Sequence, residues 1–340
     1  MSQNHQLPSV KVATRNTWSF HYTLDDNLPK GSAIEFDMMS KGGPLEWELP
    51  EPTLSRENNT IWITTPKKER IYPTPLSMKK DHIGKFVFLI DDDLESGESI
   101  TFHIGSVHND PQQGNLSQKY HERRRRFAIA FNNKGNKSFT QKEYFYLNVK
   151  GGMLNSVSLS GPSIVAKNER FSLLIRFEDV FGNLTQLAPP NSIIEISYPQ
   201  LKENMRWKLF IPETGFVVLP NLYFNELGSH YMTMKNLANG DSWQAPPILC
   251  VAEKETSLFW GNLHSESLRY DSIDGIEETI NWMRNRSSQH FFATSPLQST
   301  LSQKEWKRVV NTLAEEDEVE RFTTFSGSLF SSSQKKEGLH

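Results

Sequence analysis

The chain has 340 residues and a formal net charge of -3, and 36% of its residues are hydrophobic, including 21 phenylalanines. This length is enough for two or three domains with separate cores, and the composition excludes an intrinsically disordered chain. The single cysteine, Cys250, excludes an intrachain disulfide framework and a multi-cysteine metal site.

Charge and hydropathy also restrict the expected partners and location. The small net charge gives no overall attraction to nucleic acid or to an anionic membrane. No apolar run approaches the roughly 18 residues of a transmembrane helix. The start of the chain also lacks the basic and then apolar pattern of a secretory leader. We therefore expect a cytoplasmic protein that binds neither nucleic acid nor membrane.

Residues 1–150 carry the pattern of half-buried strands. Apolar and polar residues alternate with a period of two at 18–24, 86–90, 100–104 and 127–131. Clusters rich in Gly, Pro and Asp separate these runs, and convincing helical periodicity is absent. The segment is therefore predicted to be an N-terminal β-sandwich domain.

Two charged runs lie within this first segment. Arg123 to Arg126 are four consecutive arginines that precede a strand. They could hold phosphate, but a solvated rim or an ion-paired turn is the preferred interpretation. Asp91, Asp92 and Asp93 could hold calcium between loops. They lack the ligand spacing of an EF-hand loop, so a polar turn is preferred.

Residues 151–253 repeat the strand pattern after a predicted hinge at Gly151 and Gly152. About 100 residues with this many short strands fit an immunoglobulin-like β-sandwich domain. Cys250 falls in an apolar strand without a nearby His or Asp, so we expect a buried structural thiol rather than a nucleophile.

In residues 254–340 the period changes. Asp274 with Glu277, and Ser302 with Glu305, have the capping-box spacing that begins a helix. Apolar strands are predicted at 258–261, 290–294 and 321–325. The resulting order β-α-β-α-β predicts part of a parallel α/β fold.

A candidate metal site follows the first of these strands, where Trp260 and Leu263 are expected to pack the strand. His264 and Glu266 are two residues apart, so in an extended chain both side chains point to the same side and could reach one ion. The carboxyl ends of the other two strands carry hydroxyls and an amide, which are poor ligands for zinc or manganese.

The segment Trp260-Gly-Asn-Leu-His264, the turn Phe177-Glu-Asp-Val-Phe-Gly-Asn183 and the strand Arg321-Phe-Thr-Thr-Phe-Ser-Gly327 carry a family resemblance. The layout resembles the bacterial domain-of-unknown-function 3604 family, which belongs with the PHP-like metal-dependent phosphoesterases. The resemblance covers most of the chain and implies two β-sandwich regions ahead of a metal-binding barrel.

The chain departs from this family at positions that would hold metal. The family's aspartate in the opening motif is Asn262 here. Thr294 and Ser295 stand where the family has His and Asn or Asp, and Gly327-Ser-Leu-Phe330 replaces a Gly-Tyr-Glu-Trp element. A polynuclear site needs several anionic or imidazole ligands, so His264 and Glu266 would be a vestigial pair.

Together these observations predict a mainly β fold, with two immunoglobulin-like β-sandwich domains followed by a partial parallel α/β (PHP-like barrel) segment. A closed barrel usually needs about 250 residues, so we expect a truncated chain. We expect a non-catalytic member or fragment of a PHP-like metal-dependent hydrolase family, with no cofactor.

Two alternatives remain open. In the first, the chain is part of a split phosphoesterase. His264 and Glu266 would then bind Mn or Zn once another chain completes the site, and a protein partner would cover the open C-terminal sheet edge. In the second, a sandwich is a ligand- or protein-binding module that uses aromatic residues, for which Trp47, Trp62, Trp207 and Trp243 are available. Core packing is the simpler explanation for these tryptophans.

Overall fold

The computed structural model describes residues 7–51, 57–74, 83–133, 138–198, 205–265, 273–295, 302–318 and 321–328. The chain divides into two compact units, Met1–Gly152 and Met153–His340, and the division falls at the predicted hinge. Strands account for 45% and helices for 9% of the structure, so the prediction of a mainly β protein is confirmed.

The described part of the first unit is built from three sheets. Its strands are β1 (Ser9–Lys11), β2 (Arg15–Asn16), β3 (Trp18–Thr23), β4 (Ala33–Asp37), β5 (Thr60–Thr65), β6 (Lys68–Ile71), β7 (Lys85–Leu89), β8 (Ser99–Gly105), β9 (Asn115–Leu116), β10 (Glu122–Asn132) and β11 (Thr140–Lys150). A five-stranded sheet has the order β1-β11-β10-β4-β7, a four-stranded sheet has the order β3-β8-β5-β6, and β2 pairs with β9. Among the named strands of the described part of this unit, β1 and β11 pair in parallel and the other pairs are antiparallel.

Aromatic side chains from both larger sheets form the core of this unit. Phe36 is fully buried, and its ring centroid lies 5.8 Å from that of Phe20 and 5.1 Å from that of Phe102. Phe20 and Phe102 come from the paired strands β3 and β8, whereas Phe36 comes from β4. The alternation read from the sequence therefore places these rings between two sheets, as in a β-sandwich.

A buried polar group connects this core to the short strand β9. The side chain of Asn115 accepts a hydrogen bond from Trp47 Nε1 at 2.6 Å and donates to the Glu48 carbonyl at 2.9 Å. It also donates to Asn59 Oδ1 at 2.7 Å, and the Asn115 carbonyl accepts from Trp18 Nε1 at 3.0 Å. Trp47 and Asn115 are fully buried and Trp18 is nearly so. The indole N–H groups of Trp47 and Trp18 therefore depend on Asn115 for a hydrogen-bond partner.

The arginine run was interpreted as a solvated rim or an ion-paired turn; for Arg125 the ion pair is present, with Glu122 at 3.8 Å, but the solvated rim and the turn were wrong. The run lies in β10, and Arg125 is only 5% exposed. Its guanidinium donates to the carbonyls of Met38 and Met39 at 2.6 and 3.2 Å and lies over the Phe127 ring. A bulge with a positive φ of 58° at Arg124 shifts the register, which turns Arg125 towards the core.

The aspartate run forms a polar turn, as preferred from the sequence. Asp91 pairs with Lys68, and the Asp93 carboxylate accepts from the Lys30 backbone N–H at 2.7 Å. The Asp93 carbonyl also accepts a hydrogen bond from Lys67. Lysines therefore occupy oxygens that a calcium ion would need.

The sandwich part of the second unit has ten strands among the described residues. They are β12 (Ser156–Ser160), β13 (Ile164–Ala166), β14 (Phe171–Glu178), β15 (Ile193–Tyr198), β16 (Met205–Phe210), β17 (Phe216–Leu222), β18 (Gly228–His230), β19 (Thr233–Asn236), β20 (Ser242–Gln244) and β21 (Ile248–Val251). They form sheets of order β12-β14-β17, β13-β21-β18 and β16-β15-β19-β20. One core joins them, and it includes Cys250, which is buried as expected.

The C-terminal part has the predicted order of elements. It consists of β22 (Gly261–Ser265), α1 (Ile273–Asn281), a π-helical turn (Trp282–Arg286), β23 (Phe291–Thr294), α2 (Gln303–Glu315) and β24 (Thr323–Phe325). The strands pair in parallel in the order β22-β23-β24. The second predicted capping box is confirmed, because Ser302 Oγ accepts from the Glu305 N–H and Glu305 accepts from the Ser302 N–H.

The helices bury one face of this small sheet. Apolar side chains of both helices, of β23 and of the residue before β24 form a separate core: Ile276, Ile280, Phe292, Val309, Leu313 and Phe322. The spacing of these residues along α1 and α2 is that of an amphipathic helix.

We expect Asn115→Ala to lower the free energy of unfolding by about 2–3 kcal/mol, because it leaves the buried Trp47 N–H and two acceptors without a partner. Urea unfolding of the full chain, followed by tryptophan fluorescence, measures this change. The exposed Asn133→Ala variant is the control and should stay within about 0.5 kcal/mol of the parent. An equally small effect of Asn115→Ala would show that the network contributes nothing to stability.

Candidate functional site

The candidate metal-binding strand is present as β22, the first strand of the parallel sheet. Asn262 is half-buried in it and lies opposite Phe292 of β23. His264 also belongs to β22, but its side chain lies outside the described part of the chain, and Glu266 lies outside the described residues. The spacing of these two ligands therefore stays a prediction.

Gly261 in the opening motif has a packing role. The aromatic ring of Phe291 lies against its backbone, and a Cβ atom at position 261 would come within 2.4 Å of that ring. Any larger residue would push β22 away from β23, since Gly261 and Phe291 are register partners. This glycine is therefore explained by strand packing, without any reference to metal.

The expectation that Trp260 and Leu263 pack the strand was wrong. Trp260 is 64% exposed and Leu263 is 67% exposed. On β24, Phe325 is 48% exposed as well. The core of the C-terminal part lies where α1 and α2 meet the sheet, and these three side chains are not part of it. They form an exposed apolar surface.

The carboxyl ends of β23 and β24 are joined by hydrogen bonds. Thr294 is only 1% exposed, and its hydroxyl donates to the Gly327 carbonyl at 2.9 Å. The same oxygen accepts from the Gly327 N–H at 3.1 Å. Both hydrogen-bonding roles of this hydroxyl are therefore used by the backbone of the neighbouring strand end.

Ser295 follows Thr294 and is 6% exposed. Its hydroxyl has no hydrogen-bond partner among the described residues. Pro296 and Gln298, which the sequence also places at this strand end, lie outside the described residues.

Within the described residues, no three His, Cys, Asp or Glu side chains come together in a way that could hold a metal ion. This statement does not extend to His264 and Glu266, whose side chains lie outside the described part of the chain. What the structure places just at or beyond the described carboxyl ends of β23 and β24 is two hydroxyls, of Thr294 and Ser295, and Gly327, whereas the Asn262 amide lies near the start of β22.

A histidine–serine pair in the first unit was not predicted from the sequence. His103 Nδ1 lies 3.0 Å from Ser19 Oγ, its Nε2 lies 3.2 Å from Thr64 Oγ1, and the ring stacks on Trp62 at 4.9 Å. Burial, followed by the electrostatic effect of the nearby His21 and Arg70 side chains, lowers the pKa of His103 to about 4.

Such a weak base cannot activate a serine efficiently at neutral pH. Both ring nitrogens of His103 instead bind hydroxyl groups on the surface of a flat sheet. A cross-strand polar pair that stabilises β3 and β8 therefore accounts for this geometry better than a catalytic dyad.

The tryptophans named as binding candidates are packed. Trp47 and Trp62 are 0% and 5% exposed, and Trp207 and Trp243 pack against the core of the second sandwich. The simpler interpretation from the sequence, core packing, agrees with these positions.

Cys250 is also unsuited to nucleophilic chemistry. The thiol is buried in β21, and burial raises its pKa. A thiol with a raised pKa is less reactive at neutral pH, which agrees with the expected structural role.

Comparison with known proteins gives relatives without an assigned activity. No family model matches the chain. Uncharacterised proteins from Chlamydia trachomatis and Chlamydia pneumoniae are each 38% identical over 338 residues, and one from Chlamydia muridarum is 37% identical over 338 residues. The matches cover 98% of this chain but 54% of each relative, so the chain spans about half the length of the curated relatives it matches.

Solved structures give only distant similarity. A Thermotoga maritima protein described as a superoxide reductase matches at 12% identity, covering 28% of this chain and 85% of its own, with a TM-score of 0.20. A Corynebacterium diphtheriae protein described as membrane-anchored matches at 9% identity, covering 74% of this chain and 54% of its own, with a TM-score of 0.25. Scores this low do not indicate a shared fold. In the described residues, no helix is long and apolar enough to cross a membrane.

We expect Thr294→Val to loosen the contact between β23 and β24, because valine keeps the shape but loses both hydrogen bonds to Gly327. The loss should be about 1–2 kcal/mol, and hydrogen exchange of the amides in β23 and β24 measures it. Thr294→Ser retains the hydroxyl and is the matched control. Equal exchange rates in the valine and serine variants would contradict a role for these bonds.

Proposed function

We propose that this chain, on its own, is a non-catalytic member or fragment of a PHP-like metal-dependent hydrolase family. The observation that carries the proposal is the pair of hydrogen bonds between Thr294 and Gly327. In a parallel α/β fold, catalytic groups lie at the carboxyl ends of the strands. Here that position is taken by a hydroxyl that is fully used in joining two strand ends.

The chemistry of the remaining strand-end groups supports the same proposal. The end of β24 continues into Ser326, Gly327 and Ser328, and Asn262, near the start of β22, supplies an amide where the family has a carboxylate. Neutral oxygen groups bind zinc or manganese weakly compared with imidazole and carboxylate. A bound water then keeps a pKa too high to act as a nucleophile at neutral pH.

The proposal predicts that the chain retains no stoichiometric Mn or Zn after purification from metal-replete buffer, as measured by elemental analysis. His264→Ala should leave the metal content unchanged, since one imidazole does not hold a divalent ion firmly. Two or more tightly bound ions per chain, removed by His264→Ala, would contradict the proposal.

A second candidate is part of a split metal-dependent phosphoesterase, with the remaining barrel contributed by another chain. Two observations favour it. The apolar side chains of Leu263 and Phe325 are exposed, and the chain covers 54% of the length of the relatives. A parallel sheet normally has both faces covered, so added chain on this surface would complete its burial.

In this second candidate, His264 and Glu266 are metal ligands, and the cofactor is Mn or Zn. The added chain would contribute the further ligands and would cover the open sheet edge. Apolar side chains of the added chain would replace the solvent that contacts Trp260, Leu263 and Phe325.

The split-enzyme candidate predicts a stable complex between the full chain and the part of the Chlamydia trachomatis relative that lies outside the match. Light scattering coupled to size-exclusion chromatography measures complex formation. Metal-dependent hydrolysis of p-nitrophenyl phosphate should arise only in the complex and should be lost in His264→Ala.

Phe325→Asp should prevent assembly because it places a charge on the apolar surface. Phe210→Asp is the matched control and should not, because Phe210 is 75% exposed on a strand of the sandwich. Two partners that stay separate, or a complex formed equally well by Phe325→Asp, would exclude this candidate and leave the first one intact.

A further inference from the structure

The outer face of the five-stranded sheet carries a group of cationic and aromatic side chains. Phe127, Leu147 and Val149 point into the core, so the residues that alternate with them on β10 and β11 point outward. The parallel register of β1 with β11 places Lys11 beside Lys150 on the same outer face. We call the following residues the basic–aromatic patch: Lys11, Arg124, Arg126, Tyr144, Tyr146 and Lys150.

Arginines and tyrosines alternate within this patch. The guanidinium carbon of Arg124 lies 4.8 Å from the Tyr146 ring centroid, and that of Arg126 lies 5.5 Å from the Tyr144 centroid. The two tyrosine centroids are 6.2 Å apart. Because Arg126 is also the register partner of Tyr146, it lies beside both rings. Each ring therefore has a cation next to it.

The patch is locally positive although the chain has a net charge of -3. The acidic residues on the adjacent strand β4 are Glu35 and Asp37, whose carboxylates lie 3.4 and 3.8 Å from Lys85 Nζ. Glu122 is directed to Gln118, at 2.9 Å, and to Arg125, at 3.8 Å. These carboxylates have cationic or amide partners, so they only partly offset the field of the patch.

We propose that the basic–aromatic patch binds single-stranded nucleic acid. Cationic side chains beside aromatic rings on an open sheet can contact phosphates and stack on bases at the same time. Arginine fits both tasks, since a guanidinium binds phosphate through its edge and stacks through its face. The expectation of no nucleic-acid binding relied on net charge, which does not describe how the charge is distributed.

Single strands fit this surface better than duplexes or acidic proteins. A duplex hides the faces of its bases, so tyrosine rings on a flat sheet could not stack on them. An acidic peptide would use the cations but would have little use for two neighbouring rings with guanidinium groups beside them. The ring separation of 6.2 Å allows two consecutive unstacked bases to contact the patch.

The test is fluorescence anisotropy of a labelled oligothymidylate of about 12 nucleotides with the full 340-residue chain, titrated over a range of salt concentrations. Saturable binding is expected at about 50 mM salt. Arg124→Gln with Arg126→Gln should weaken binding about tenfold. The same change should reduce the slope of log affinity against log salt by about 1.4, which corresponds to two phosphate contacts.

The aromatic contribution is tested separately. Tyr144→Leu with Tyr146→Leu should weaken binding about tenfold with an unchanged salt slope, because stacking is lost while charge is kept. Lys208→Gln with Lys235→Gln removes equal charge from exposed positions of the second unit and should leave binding unchanged. Thermal unfolding of each variant shows whether it is folded, and Arg124→Lys with Arg126→Lys gives a second, conservative variant that should keep the salt slope.

Four results would overturn the proposal. They are no saturable binding by the parent chain at low salt, equal affinity for a duplex of the same length, tyrosine variants that bind as well as the parent, and equal weakening by the control lysine variant. Each of these outcomes would assign the patch to sheet stability or to unspecific charge.

Discussion

A parallel sheet must bury both of its faces. The two parts of the second unit differ in how far they meet this requirement. The sandwich strands enclose their own core, which includes Phe177 and Ile196. The sheet of β22, β23 and β24 buries one face under α1 and α2 through Phe292 and the helix residues Ile280 and Val309. Leu263 and Phe325, in contrast, remain largely in contact with solvent. At about 25 cal/mol per Å² of apolar surface, leaving such side chains exposed forgoes a few kcal/mol of stabilisation.

Much of the fold was readable from local patterns in the sequence. Period-two alternation located strands such as β3 and β14, because inward and outward residues alternate along any half-buried strand. The capping box of Ser302 and Glu305 located the start of α2, since that pair satisfies the first free N–H groups of the helix. Both the alternation and the capping box depend only on residues that are close in the chain, so they can be recognised without knowledge of the tertiary structure.

The predictions from the sequence failed where contacts between residues far apart in the chain determine the burial of a side chain. The alternation of side chains predicts which residues of β22 share a face, but it does not predict that Leu263 is 67% exposed. The buried position of Arg125 depends on the carbonyls of Met38 and Met39, which are more than 80 residues away in the chain. The stacking of Arg124 and Arg126 on tyrosines depends on the pairing of β10 with β11. A run of four arginines shows none of these partners in its own sequence.

The hydroxyl of Thr294 joins the ends of two neighbouring strands, β23 and β24. Polar backbone groups beyond the last paired residue of a strand need hydrogen-bond partners when they are shielded from water. Thr294 donates to one backbone group of Gly327 and accepts from another, so a single side chain satisfies both. Gly327 permits this approach because a Cβ atom there would lie 2.6 Å from the Thr294 carbonyl oxygen. The pair therefore adds two hydrogen bonds beyond the paired residues of β23 and β24 and holds the ends of these strands together.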